Sequence, residues 1–405
     1  MRGKLILADG TTFEGTSFGA PISHSGEVVF ATGMTGYPQA FTDPSFAGQI
    51  LTMTYPLIGN YGVPKKTLWE SDKMHINGLI VSNYIDTPSH FQSSMTLATW
   101  LKKAHVPGLE IKDTRALTQH LRSKGVMLGK IIIYSSYSDL QPNRLPKRNN
   151  ESYTRTKYID RSIDKNIHQY DPNKINLVAQ VSTKKVTYEA PVIARSSAKQ
   201  NDAAIPTEIA SLPTVARNDE KNNVKTILII DCGAKRNITR CFLKRGMQTI
   251  TVPWDYNPFG KNLKFDALFI SNGPGDPKMA DKTIKTIKKA LENKIPTLGI
   301  CLGNQLLALA AGGDTYKLKY GHRSQNQPCL LYKSDRCYIT TQNHGFAIKD
   351  VPVGFDPWFI NANDKTIEGI KHHTLPFMSV QFHPEAAPGP MDTEWIFDYF
   401  LERIK

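Results

Sequence analysis

The chain has 405 residues, 40% of them apolar and 21% charged, with a formal net charge of +14 at pH 7. That length corresponds to two or three domains and buries a sizeable core without disulfide or metal staples. No apolar run approaches the ~20 residues of a membrane span. Met1–Lys4 leads straight into a strand-like Leu5–Leu7, without the ~7–15-residue apolar core of a signal peptide. A cytoplasmic protein with no membrane partner is therefore expected. The five cysteines (Cys232, Cys241, Cys301, Cys329, Cys337) form no C-x-x-C pair and no zinc-like spacing with histidine, so reduced thiols and no metal are expected. The positive charge invites a nucleic-acid reading. Yet residues 141–225 alone, with 15 basic and 9 acidic side chains, account for +6 of it, and no nucleic-acid-binding signature accompanies it. No nucleic-acid partner is expected.

Residues 3–137 read as β-rich. Lys4–Ala8, the Asp9-Gly10 turn and Thr11–Phe18 form a hairpin signal. Glu27–Thr32 and Gln49–Tyr55 are further strands, and helical periodicity marks Ser94–Ala104 and Thr114–Lys124, with Gly125 as a stop. Residues 138–170 turn polar and lose apolar periodicity, as do residues 190–223, which carry Pro191, Pro206 and Pro213. Such segments read as insertions or linkers. The island Ile175–Val181 between them reads as a short strand. The division is therefore 1–189 as an N-terminal domain with a polar insertion near 138–170, 190–223 as a linker, and 224–405 as a second domain.

That second domain is regular α/β. Strands at Val224–Asp231, Thr249–Pro253, Phe265–Ser271 and Ile295–Ile300 alternate with helices at Lys235–Lys244, Lys278–Glu292 and Leu302–Ala311. The alternation predicts parallel βαβ units in a doubly wound sheet, with sites beyond the carboxyl ends of the strands. The fold class expected is α/β, a β-rich domain followed by a doubly wound one.

The sharpest motif is Thr297–Gln305, T-L-G-I-C-L-G-N-Q, in which an apolar strand runs into Cys301 and a helix leaves from it. Gly299 and Gly303 stand two residues to either side, the cysteine version of the nucleophile elbow. The helix dipole and free N–H groups stabilise a thiolate at that position. The plainer alternative is a buried structural cysteine between incidental glycines. A nucleophilic cysteine needs a base. Phe377–Gln381, strand-like, runs into Phe382-His383-Pro384-Glu385. Two residues apart on an extended chain, His383 and Glu385 project to the same side, so the carboxylate orients the imidazole. Ser271–Pro277, S-N-G-P-G-D-P, lets backbone N–H groups approach a ligand or an oxyanion. Thr341–Ala347, T-Q-N-H-G-F-A, reads as a polar kink or hairpin turn between strands. The other four cysteines read as core residues, and Asp392–Ile404 as a terminal helix.

G-I-C-L-G, S-N-G-P-G-D-P, Q-N-H-G-F and Q-F-H-P-E in this order resemble a class I (triad-type) glutamine amidotransferase. Upstream, G-E-V-V-F (Gly26–Phe30), M-T-G-Y (Met34–Tyr37), T-D-P-S-F (Thr42–Phe46) and T-Y-P-L-I-G-N-Y-G (Thr54–Gly62) resemble the small subunit of glutamine-dependent carbamoyl-phosphate synthetase. N-L-V-A-Q-V (Asn176–Val181) and L-A-L-A-A-G-G (Leu307–Gly313) extend the likeness to nearly all of the chain outside 138–170 and 190–223. The resemblance implies that Cys301 attacks the side-chain amide of glutamine, that His383 serves as acid and then base, and that Glu385 orients it. Backbone N–H groups of Leu302 and the Gly273 region would form the oxyanion hole. Contacts to glutamine carry over to Ser45, Gly273, Gly275, Leu302, Gln305, Asn343, Gly345 and Phe346. Ammonia would pass to a large synthetase subunit or fused synthetase domain. ATP, Mg and bicarbonate belong to that partner, and no cofactor is expected in this chain.

Two departures stand out. The family usually carries histidine where this chain has Asn304, and the polar insertions are absent from compact members. Retention of Cys301 argues against the relatives that have lost the cysteine. The alternative reading is a catalytically quiet module that binds or regulates the synthetase. An amidotransferase for another synthase is disfavoured by residues 1–137, and a free-standing cysteine hydrolase by the absence of any sign of another acyl substrate. Arginine and pyrimidine routes stay open, as do a separate subunit and a fused polypeptide.

Overall fold

A computed structural model describes residues 1–134, 170–191, 224–260 and 263–404. The polar insertion and the linker fall almost entirely outside the described residues.

The N-terminal residues close into a seven-stranded barrel, in the order Arg2–Leu7, Thr12–Ser17, Gly108–Glu110, Gly78–Val81, Gln49–Met53, His24–Ala31 and Met127–Ile133. The expected hairpin is there: Leu5 pairs with Phe13 across a turn in which Gly10 takes φ 82° and Thr11 N–H bonds Asp9 Oδ1 at 2.9 Å. The four strands from His24 to Glu110 run parallel. Their alternate residues feed two cores. Val28, Ile50 and Ile80 pack with Leu5, Ile131 and Leu117, while Val29, Leu51 and Leu79 pack under Phe41 and Trp100. Asp113 caps helix Thr114–Lys124 by accepting Ala116 N–H at 2.8 Å, and Gly125 ends it at φ 101°.

The second unit is a ten-stranded mixed sheet. Five parallel strands form its centre, in the order Phe377–Val380, Thr297–Ile300, Ala267–Ile270, Thr226–Asp231 and Gln248–Pro253. Four antiparallel strands within 314–372 widen it on one side. Helices cover both faces as a doubly wound sheet requires. Arg236–Lys244 and Trp395–Leu401 bury Phe242, Phe397 and Phe400 on one, and Asp281–Glu292 and Leu302–Ala310 bury Ile287, Leu306 and Leu307 on the other.

Three local expectations are corrected. The island Ile175–Val181 is no strand: Asn176 caps a short helix, Leu177–Val181, by accepting Ala179 N–H at 2.9 Å, and Val178 packs on the second sheet. Thr187–Glu189, placed from sequence in the N-terminal domain, pairs with Thr249–Thr251 at the edge of that sheet. Thr341–Ala347 does not kink, but lies inside the continuous strand Cys337–Asp350. Its polar side chains bond one another in the interior, so polarity there marks a site rather than a turn.

Glycine permits the tightest packing. A Cβ on Gly303 would stand 2.2 Å from the Ile270 carbonyl oxygen, so the helix leaving Cys301 lies directly on the neighbouring strand. Gly303→Ala is expected to lower stability by roughly 1–3 kcal/mol in urea unfolding. The control Gly260→Ala, with nothing within 4 Å of its Cβ position, should be near neutral.

Candidate functional site

The site assembles where neighbouring parallel strands end. Ile300 pairs with Val380, so Cys301, next after one strand, and His383, three residues past the other, emerge side by side. Cys301 takes φ 56°, ψ −104°, a positive-φ conformation rare for a side-chain-bearing residue and worth of order 1–3 kcal/mol in strain. The flanking glycines make the turn possible: a Cβ on Gly299 would lie 2.4 Å from Gly303 O. The Cys301 thiol donates to Asn343 O at 3.5 Å.

His383 Nδ1 lies 2.6 Å from Glu385 Oε1. The pair is set by a turn, closed by Ala386 N–H to His383 O at 3.1 Å, rather than by the extended alternation expected. His383 Nε2 is buried and has no hydrogen-bond partner among the described residues, leaving it as the free nitrogen of the ring. Burial opposes charge on His383, but the Glu385 carboxylate and then the Cys301 sulfur favour it, lifting the imidazole to about 10. Burial likewise opposes charge on Glu385, and Lys235 and then His383 overcome it, holding the carboxyl down to about 2.

Lys235 escaped the sequence reading, which placed it at the start of a helix. It is 2% exposed, with Nζ 3.0 Å from Glu385 Oε1 and a hydrogen bond to Ala386 O. Burial works against its charge, and Glu385, Glu70 and Asp43 outweigh burial. The available signal was its position just after a buried strand, at the carboxyl edge where such folds place sites. Glu70, from the barrel, was also missed. Its side chain accepts Asn237 N–H at 2.9 Å and pairs with Arg240 at 3.3 Å, and burial pushes its carboxyl up.

One cavity is lined by Cys301 and by all eight residues expected to contact glutamine: Ser45, Gly273, Gly275, Leu302, Gln305, Asn343, Gly345 and Phe346. Ser45 comes from the barrel. Asn272 ties it in place, donating to Ser45 Oγ at 2.9 Å and to Asp43 Oδ1 at 3.2 Å, while Asn343 donates to Asp43 Oδ2 at 3.3 Å. Gly273 approaches so closely that a Cβ would stand 2.1 Å from Cys232 O. Glu27, Gln49 and Arg323, unexpected from sequence, also line the cavity. A second cavity, walled largely by apolar atoms, shares Asn343 and Arg323 with the first and adds His383 and Lys235.

Among the described residues one trio has metal-ligating side chains in reach of each other: His322, His344 and Glu368. Protein groups already engage them. His322 Nε2 lies 2.8 Å from Asp364, His344 Nε2 lies 2.9 Å from Gln342 Oε1, and Glu368 accepts from Gln342 and Asn361 at 3.0 and 3.1 Å. The trio is a hydrogen-bonded support behind Asn343–Phe346. Cys232, Cys241 and Cys329 are buried as expected, whereas Cys337 is exposed. No helix among the described residues is long and apolar enough to cross a membrane.

Residues 228–403 match the family model described as Glutamine amidotransferase class-I, and residues 5–131 match Carbamoyl-phosphate synthase small chain, CPSase domain. The multifunctional protein URA2 of Saccharomyces cerevisiae is 45% identical over 99% of this chain, and the multifunctional protein CAD of Squalus acanthias 42% identical over 98%. The chain spans only 17% and 16% of the length of those two relatives. The carbamoyl phosphate synthase small chain of Pyrococcus furiosus is 39% identical over 100% of this chain and 98% of its own length. With that identity along the whole of both sequences, the chain belongs to the carbamoyl-phosphate synthase small-chain family.

Proposed function

We propose that this chain hydrolyses glutamine to glutamate and ammonia and delivers the ammonia to a synthetase partner, a large subunit or a fused domain, for carbamoyl phosphate synthesis. The observation that carries the reading is a strained cysteine lining a cavity built from both units, with a carboxylate-held histidine emerging beside it from the neighbouring strand. In this reading Cys301 is the nucleophile. Its thiolate attacks the side-chain amide carbon of glutamine, and the negative charge passes to the amide oxygen, received by backbone N–H groups at Leu302 and the Gly273 region. The carbon–nitrogen bond breaks as imidazolium His383 protonates the leaving nitrogen, releasing ammonia and a glutamyl thioester. Neutral His383 then takes a proton from water, and the resulting hydroxide attacks the thioester and expels the thiolate. The side-chain carboxylic acid formed gives its proton to water to leave as glutamate, with the thiolate and imidazolium restored. Glu385 holds the ring, and Lys235 keeps Glu385 ionised.

The second cavity supports delivery. His383 is among its lining residues, and its largely apolar wall suits neutral ammonia better than ammonium. This chain supplies no nucleotide chemistry in the scheme.

Glutamate release should rise when the synthetase partner is added and fall by at least roughly 10³-fold in Cys301→Ser. No release under either condition, with partner binding intact, would leave a quiet module instead.

Lys235→Met removes the cation that faces three carboxylates. Stability at pH 7 should drop by roughly 3–5 kcal/mol, with a fall in kcat. The gap from wild type should narrow as pH falls toward 2, because wild type there loses the stability that its ionised Glu385 gains from Lys235.

His383 acts at the other end of the pH scale. Its ring is raised above 6.5 in the folded protein, so the stability it contributes is complete below 6.5 and is lost as pH climbs toward 10. Urea midpoints of wild type should therefore fall more steeply over that range than those of His383→Asn. Parallel slopes would show that the ring is not charged in the folded state.

A further inference from the structure

We propose that Gln381, held by Asn304 and Ser379, is a positioning residue that turns the side-chain carbonyl of Gln305 into the cavity to receive the α-ammonium of glutamine. This deepens the glutaminase reading and rests on it for the identity of the ligand.

The orientation starts from a group that cannot reverse. The backbone carbonyl of Phe346 only accepts, and Gln305 Nε2 lies 2.8 Å from it, which decides which end of the Gln305 amide is nitrogen. The same Nε2 donates its second hydrogen to Gln381 Oε1 at 3.1 Å. Gln381 must therefore present oxygen on this side, and Asn304 Nδ2 donates to that oxygen at 3.1 Å. Asn304 Oδ1 in turn accepts the Ser379 hydroxyl at 2.8 Å. All four side chains are at most 2% exposed, so water does not compete for these bonds. With both hydrogens of the Gln305 amide committed, its Oε1 is the polar atom this residue has left for the cavity it lines with Cys301.

The cost of the arrangement is visible. Gln381 Nε2 is buried with no hydrogen-bond partner among the described residues. Reversing the amide would set Nε2 against the donors of Gln305 and Asn304, exchanging one unpaired group for two donor–donor clashes. A buried donor left unpaired to keep a neighbour in one orientation points to a demand from the site. Asn304, where the family usually carries histidine, supplies donor and acceptor from one side chain that does not titrate.

The reach is consistent. Gln305 stands four residues beyond Cys301, just over one helical turn and about 6 Å along the axis. The α-carbon of glutamine lies three bonds from the carbon under attack, roughly 4 Å away. A carbonyl oxygen there meets the ammonium, not the reacting amide.

The test pairs two ligands with two variants in the intact protein, with its synthetase component present. Glutaramate is glutamine without the α-ammonium. Gln381→Met should raise KM for glutamine by roughly 10–100-fold, the range for a hydrogen bond to a charged group, with kcat within about threefold. The same variant should leave kcat/KM for glutaramate at the wild-type value. Gln381→Glu, which restores an accepting oxygen, should recover most of the glutamine affinity. Calorimetry in a Cys301→Ala background should show the same ligand-dependent difference without turnover. Equal losses on both ligands would reduce Gln381 to packing and overturn the proposal, as would no loss on glutamine. If the binding difference appears but the parent protein releases no glutamate, the positioning role stands and the glutaminase reading falls. Turnover without the binding difference would instead uphold the glutaminase reading and overturn the positioning role.

Discussion

A carboxylate sealed from water organises this molecule. Glu385 is 3% exposed, and burying an anion costs several kcal/mol unless cations and hydrogen bonds meet it. Lys235 meets it from the loop after one central strand, and His383 from the turn after another. Neither cation tolerates burial alone, so each of the three charges is the condition for the other two. The charge of Lys235 also acts on Glu70 and Asp43, which belong to the barrel. The same electrostatics that set the protonation of His383 thereby join the two units.

That seam explains why the cavity has two owners. Asp43 and Ser45 reach across from the barrel and are held by Asn272 and Asn343 of the sheet. Glu70 caps the first turn of helix Arg236–Lys244 through Asn237 N–H, where a carboxylate also opposes the positive end of the helix dipole. A shift of the barrel would disturb both the wall of the cavity and the partners of Lys235. The barrel is therefore part of the site, not an appendage to it.

The strongest local signals in the sequence were those with steric causes. The glycines around Cys301 are required because backbone atoms come within 2.4 Å of where a Cβ would be, and such a requirement is written in adjacent residues. The alternation of apolar strands and helices after Val224 likewise followed from local period alone. Errors arose where polar residues were bonded to distant ones. Thr341–Ala347 looked like a turn because its polar side chains had no visible partner. Gln342 finds Glu368, and Asn343 finds Asp43, 300 positions away. Ile175–Val181 looked like a strand because so short a segment shows no helical period, and its cap was masked by the same shortness.

By itself the sequence determined the elbow, the order of the motifs and the two kinds of fold, because each is carried by short stretches whose chemistry is local. The cavity contacts came from the family resemblance, which did not reach Glu27, Gln49 or Arg323. Only the tertiary structure decided that His383 and Glu385 meet in a turn, that Lys235 lies beside them, and that the amide of Gln305 is held between Phe346 and Gln381, with Asn304 and Ser379 behind Gln381. These depend on burial and on donor–acceptor pairing between strands far apart in the chain. A lysine or a glutamine carries no mark in the sequence of whether water or a buried partner will satisfy it.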